Sequence, residues 1–68
     1  MNGRQAVLQL RFVSAVLRHE RMHGRHPEGL RKRAGQLIDQ AVVDLDGVDG
    51  GQAALAEAQG ELALTSHP

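Results

Sequence analysis

Phe12 is the only aromatic residue in the chain, and there is no cysteine. The interior must therefore be built from aliphatic side chains, chiefly Ala, Val and Leu, with neither a disulfide nor a thiolate-bound metal to reinforce it. A core of that kind favours helix packed closely on helix over a sheet, where aromatic and β-branched residues are enriched. Length sharpens the constraint. A chain of 68 residues buries only about 60% of the surface its unfolded form exposes, so one core supplies roughly 3–5 kcal/mol. The reinforcements still open to it are regular helix packing, self-association and a histidine-bound metal.

Helical periodicity supports this all-α reading. Ala6, Leu10, Val13 and Leu17, with Val16 beside them, recur at helical spacing and predict a first helix over about residues 4–23. Leu8, Phe12 and Ala15 widen its apolar face, so it has surface for more than one neighbour. Gly24 and Pro27 end the pattern. Pro27 suits the first turn of a second helix. In that helix Leu30, Ala34, Leu37, Ile38, Ala41, Val42 and Leu45 give the cleanest 3.6-residue period in the chain. The short link between the two predicts an antiparallel helical hairpin. Its expected core is Leu10, Val13, Leu17, Leu30, Leu37, Ile38, Ala41 and Leu45. Asp46 to Gly51 reads as a flexible turn. Gln52 to Leu64 then has high helix propensity with a thin sticky stripe of Leu55, Ala58 and Leu62, which predicts a short third helix. The expected organisation is one small helical domain over residues 1–64 and a disordered tail over 65–68, with surplus apolar faces buried in a homodimer.

Charge is divided along the chain. Every Lys and Arg lies between Arg4 and Arg33, and Ala34 to Pro68 carries acidic groups only, so a net charge of zero hides a dipolar molecule. The second helix is charged against its own dipole, with Arg31, Lys32 and Arg33 at its start and Asp44 and Asp46 at its end. Local preference did not choose that order, which implicates tertiary or partner contacts. In a hairpin Asp39, Asp44 and Asp46 return towards Arg4 and Arg11, while Arg18, Arg21, Arg25, Arg31, Lys32 and Arg33 collect where the chain reverses. Arg-rich ends attract carboxylate and phosphate, because guanidinium offers bidentate contacts to both.

No stretch is apolar enough to span a membrane, since Arg11 and Arg18 bound the longest candidate, Val13 to Leu17. The absence of cysteine agrees with a reducing, cytoplasmic setting.

His19-Glu20-Arg21-Met22-His23 matches the pattern His-Glu-x-x-His, in which two imidazoles on one helical face chelate zinc and the Glu acts as base. It resembles the zincin metalloprotease motif over five residues. Those enzymes also need a third ligand and a substrate cleft, and Arg21 sets a cation beside the ion. His26 is the candidate third ligand, but Pro27 argues against the helix reaching it. The expectation is accordingly no enzyme, no cofactor and no committed metal site, with His19, His23 and His26 as the residues to inspect. Asp44 to Gly50 superficially suggests a calcium loop. It fails on spacing, because an EF-hand begun at Asp44 needs a ligand at Val48, a glycine at Asp49 and a glutamate at Leu55.

The sequence thus points to a small non-enzymatic adaptor, inhibitor or regulator. Its expected partner is a protein with an acidic surface, bound through Arg18, Arg21, Arg25, Arg31, Lys32 and Arg33 together with apolar helix faces. A nucleic acid bound by the same residues is the alternative, weakened by the missing aromatic platform and by the acidic half.

Overall fold

The computed structural model describes residues 2–25 and 27–65. They form three α-helices, α1 (Gly3–Met22), α2 (Glu28–Asp44) and α3 (Gly51–Thr65). Among the described residues there is no strand, and no helix is long and apolar enough to cross a membrane. The all-α expectation holds. The third helix runs one residue further at each end than the expected Gln52 to Leu64; it takes in Thr65, expected in the disordered tail, whose other residues, 66–68, lie outside those described.

Local chemistry fixes the ends of α1. Asn2 caps its start, accepting a hydrogen bond from the Gln5 backbone N–H at 2.9 Å, while Gln5 Oε1 accepts from the Asn2 backbone N–H at 3.4 Å. This reciprocal pair satisfies donors that a helix start otherwise leaves unpaired. At the other end Gly24 takes a left-handed φ of 70°. Its N–H donates to the Arg21 carbonyl at 3.0 Å, and the Arg25 N–H donates to the Glu20 carbonyl at 2.9 Å. That pair of bonds is a Schellman stop, and glycine is the residue that enters it without steric penalty.

Pro27 stands just outside α2, one residue earlier than expected, with extended backbone (φ −70°, ψ 112°) and a carbonyl that accepts from the Arg31 N–H at 3.1 Å. After α2 the chain makes two successive turns, closed by Val48 N–H to Leu45 O at 3.1 Å and Gly51 N–H to Val48 O at 2.9 Å. Gly47 and Gly50 hold the third position of each with positive φ, the placement where a turn most needs glycine. The Asp-rich stretch thus forms the turns that link α2 to α3.

The core forms two adjoining clusters. Ala6 and Leu10 of α1 meet Ile38, Ala41 and Leu45 from α2 and its cap, and Ala54 and Ala58 of α3. Val13, Leu17 and Ala34 form the second, with Leu30, Leu37 and Leu62 half-buried against it. Leu30 and Leu37, expected in the core, are thus at its edge. The most extensive helix contact is α1 with α3, ahead of either contact made by α2. Small residues permit it: the buried line of α3 is Gly51, Ala54, Ala58, Glu61 and Thr65, spaced three and four apart as one helical face requires. At Gly51 a Cβ would stand 2.9 Å from the Leu45 carbonyl oxygen and 3.2 Å from the Leu45 Cβ, so the approach of α3 to the cap of α2, as distinct from α1, depends on glycine.

Candidate functional site

The six cations expected to form a recognition surface divide into two groups. Arg18, Arg21 and Arg25 are held by carboxylates. Glu61, one of the few buried polar residues and 8% exposed, receives Arg21 Nη2 on both carboxylate oxygens at 3.3 and 3.5 Å, and Arg18 Nε lies 3.6 Å from its Oε1. Arg18 Nη2 is also 3.9 Å from Glu57 Oε1. Glu61 lies on the face of α3 that packs inward, so these ions meet at the edge of the α1–α3 seam and not in open solvent. Periodicity in apolar residues could not find it, because a charged residue inside a buried stripe breaks the template used to look for one. The available signal was its register: Glu61 follows Ala54 and Ala58 at spacings of seven and three.

Arg25 takes a different carboxylate. Its Nε and Nη2 both donate to Glu20, the latter at 3.2 Å. The guanidinium hydrogen bond, with its charge, holds the Glu20 carboxyl below its usual range, and the adjacent His19 and His23 act in the same direction. Arg25 is shifted up by the same bond and by the Glu20 charge. Because the folded-state pKa of Glu20 lies below the unfolded value of about 4.3, the stabilisation is fully present above that pH. It fades as pH falls through the lower folded value. A carboxyl NMR titration of Glu20 should therefore give a midpoint below that of the same carboxyl in Arg25→Ala, with the C-terminal turn of α1 loosening over that acidic interval.

The remaining cations have different surroundings. Arg31 Nη1 donates to the Thr65 carbonyl at 3.4 Å, so a cation in the first turn of α2 serves the C-terminal end of α3, where helix carbonyls lack partners. This accounts for one of the charges placed against the α2 dipole. Lys32 and Arg33 are exposed and, among the described residues, make no ion pair or side-chain hydrogen bond. No ion pair among the described residues joins Asp39, Asp44 or Asp46 to Arg4 or Arg11.

Arg33 does border an apolar groove. Phe12, Val13 and Val16 of α1 face Leu30, Ala34 and Leu37 of α2 across about 230 Å³, with Gln9 and Arg33 as its polar edge. Phe12, the largest apolar side chain available, is 69% exposed there. Phe12 belongs to the widened apolar face expected of α1, and the structure leaves that face uncovered.

Around the His-Glu-x-x-His stretch, His19 and His23 are exposed, with ring centres 4.3 Å apart and planes tilted by 52°. Glu20, the base of the zincin pattern, is bound to Arg25. No group of three or more His, Cys, Asp or Glu side chains converges among the described residues, and His26 lies outside them. No protein family matches the chain, nor does any curated protein or solved structure.

Proposed function

We propose that this chain is a small non-enzymatic protein-interaction module, an adaptor, inhibitor or regulator. On this reading α1 and α2 form an antiparallel hairpin whose uncovered groove receives an apolar helical segment of a partner protein, with Lys32 and Arg33 taking the partner's carboxylates. The contact order supports the hairpin. Ala6 and Leu10 meet Ile38, Ala41 and Leu45, whereas Val13 and Leu17 meet Ala34 and Leu30. The observation that carries the functional reading is the exposed Phe12 beside half-buried Val16, Leu30 and Leu37. Uncovered apolar surface with a polar rim is the usual mark of a docking site. The absence of cysteine agrees with work in a reducing cytoplasm.

The binding surface proposed here is narrower than the six cations expected from sequence, because Arg18, Arg21 and Arg25 are engaged by Glu57, Glu61 and Glu20. The same ion pairs weaken the nucleic-acid alternative, since a phosphate backbone would have to compete with bound carboxylates. Two copies of the chain can also cover each other's grooves, so homodimerisation is part of the proposal.

Phe12→Asp tests the reading. The position is exposed, so stability should stay within about 0.5 kcal/mol of wild type. Loss of an aromatic anchor should weaken the captured partner by about thirtyfold or more. Light scattering over a wide concentration range should show dimers of wild type and fewer of the variant. A monomer throughout removes the homodimer. Binding that falls log-linearly and steeply with salt, and that ignores Phe12→Asp, would favour the nucleic-acid alternative.

A further inference from the structure

We infer that His19 and His23 form an open two-imidazole site for a borderline divalent transition-metal ion, of the class Cu²⁺, Ni²⁺ and Zn²⁺. Neither histidine lines the α1–α2 groove, although both continue the α1 stripe of Phe12 and Val16, and the inference does not depend on the docking proposal. Residues four apart lie one above the other on a helix, and these two rings already sit with centres 4.3 Å apart. Bonds of about 2.0–2.1 Å from metal to imidazole nitrogen require two nitrogens roughly 3 Å apart. Rotation of exposed side chains supplies that without moving backbone. Both imidazoles are accessible to solvent.

The electrostatics at this site differ from what the sequence implies. Arg21, which in sequence stands between the histidines, directs its guanidinium to Glu61, and Arg18 to Glu57 and Glu61. Arg25 is bound to Glu20. Each nearby cation therefore has its own counter-charge, and the repulsion that would oppose a dication is largely cancelled. The pair also occupies the last turn and cap of α1, where the partial negative charge of helix carbonyls favours a cation. Two protein ligands leave the other coordination positions to water, so the site is exchangeable and lacks the closed shell of a structural zinc site. Imidazole donors select transition metals over Mg²⁺ and Ca²⁺, which prefer oxygen, and within the class Cu²⁺ should bind tightest.

The test is isothermal calorimetry of the full chain with Cu²⁺, Ni²⁺ and Mg²⁺ separately. Because His26 and His67 are also present, four proteins are compared: wild type, His19→Asn, His23→Asn and the double variant His26→Asn/His67→Asn. Wild type and the double variant should bind one equivalent of Cu²⁺ with similar affinity, and Ni²⁺ more weakly. Each single variant should lose about a hundredfold, because the second imidazole binds as an intramolecular event. Circular dichroism without metal should show equal helix content in all four. Cu²⁺ affinity that is unchanged in His19→Asn or His23→Asn, or that is lost in the double variant, overturns the inference.

Discussion

Glu61→Lys should remove most of the protein's stability and populate the unfolded state measurably at 25 °C. The substitution sets an ammonium beside Arg18 and Arg21 at a position that is 8% exposed, with no carboxylate left on that stretch of the seam except the half-exposed Glu57. Removing one partner of a buried ion pair costs about 3–5 kcal/mol. Arg18 is half in solvent and Arg21 about a third, so screening puts the cost at or below the lower end of that range. Even about 3 kcal/mol equals most of what a single core of this size supplies. Glu61→Gln keeps shape and an acceptor, so it should cost only about 1–2 kcal/mol, with the melting temperature falling by about 4–8 °C per kcal/mol. Urea and thermal melts followed by circular dichroism check both. The exchange Arg21→Glu/Glu61→Arg should be more stable than the sum of its single variants by about 1 kcal/mol or more, as expected of residues in direct contact. A Glu61→Lys protein that melts like wild type would show that the seam does not depend on this carboxylate.

Leu45→Ala should cost about 3–5 kcal/mol, the upper part of the range for truncating a buried leucine. Leu45 is 0% exposed and shares a cluster with Ala6, Leu10, Ala54 and Ala58. How much of the cavity can close depends on the neighbours, and here most are alanines with no rotatable side chain to swing in. Gly51 also abuts Leu45 and has no side chain at all. By contrast Val43→Ala, at a position 79% exposed, should stay within about 0.5 kcal/mol of wild type. Circular dichroism of the two variants without denaturant, with a urea melt of each that stays folded, would separate burial from hydrophobicity, since both remove only aliphatic carbon. Similar losses in the two would contradict the placement of Leu45 in the core.

The contrast between Leu45 and Glu61 also explains which parts of the fold could be read from the sequence. The large aliphatic residues of α2 stand out against charged neighbours, so their period identifies the helix, and Gly24 with Pro27 marks the end of α1 through backbone chemistry. The start of α1 lies outside that pattern: Asn2 and Gln5 set it at capping-box spacing, whereas the apolar period begins only at Ala6. The α3 face is a different matter. Its packing surface is Gly, Ala, Ala, Glu and Thr, which differs little in hydrophobicity from its exposed side, and register alone does not reveal what it packs against. The fate of the arginines was hidden for the same reason. Their carboxylate partners on α3 lie about forty residues downstream, and nothing in the local charge pattern says that Arg18 and Arg21 are consumed while Lys32 and Arg33 are not. The candidate site was thus legible as a set of cations and apolar faces. Its reduction to one groove depended on where α3 docks.

That distance along the chain has a temporal consequence. Arg21 emerges during synthesis forty residues ahead of the Glu61 that binds it, an interval of roughly 2–8 s at about 5–20 residues per second. Until Glu57 and Glu61 have been added, Arg18 and Arg21 lack the carboxylates that hold them in the finished fold, and the growing polypeptide carries its largest net positive charge just before its acidic segment is made.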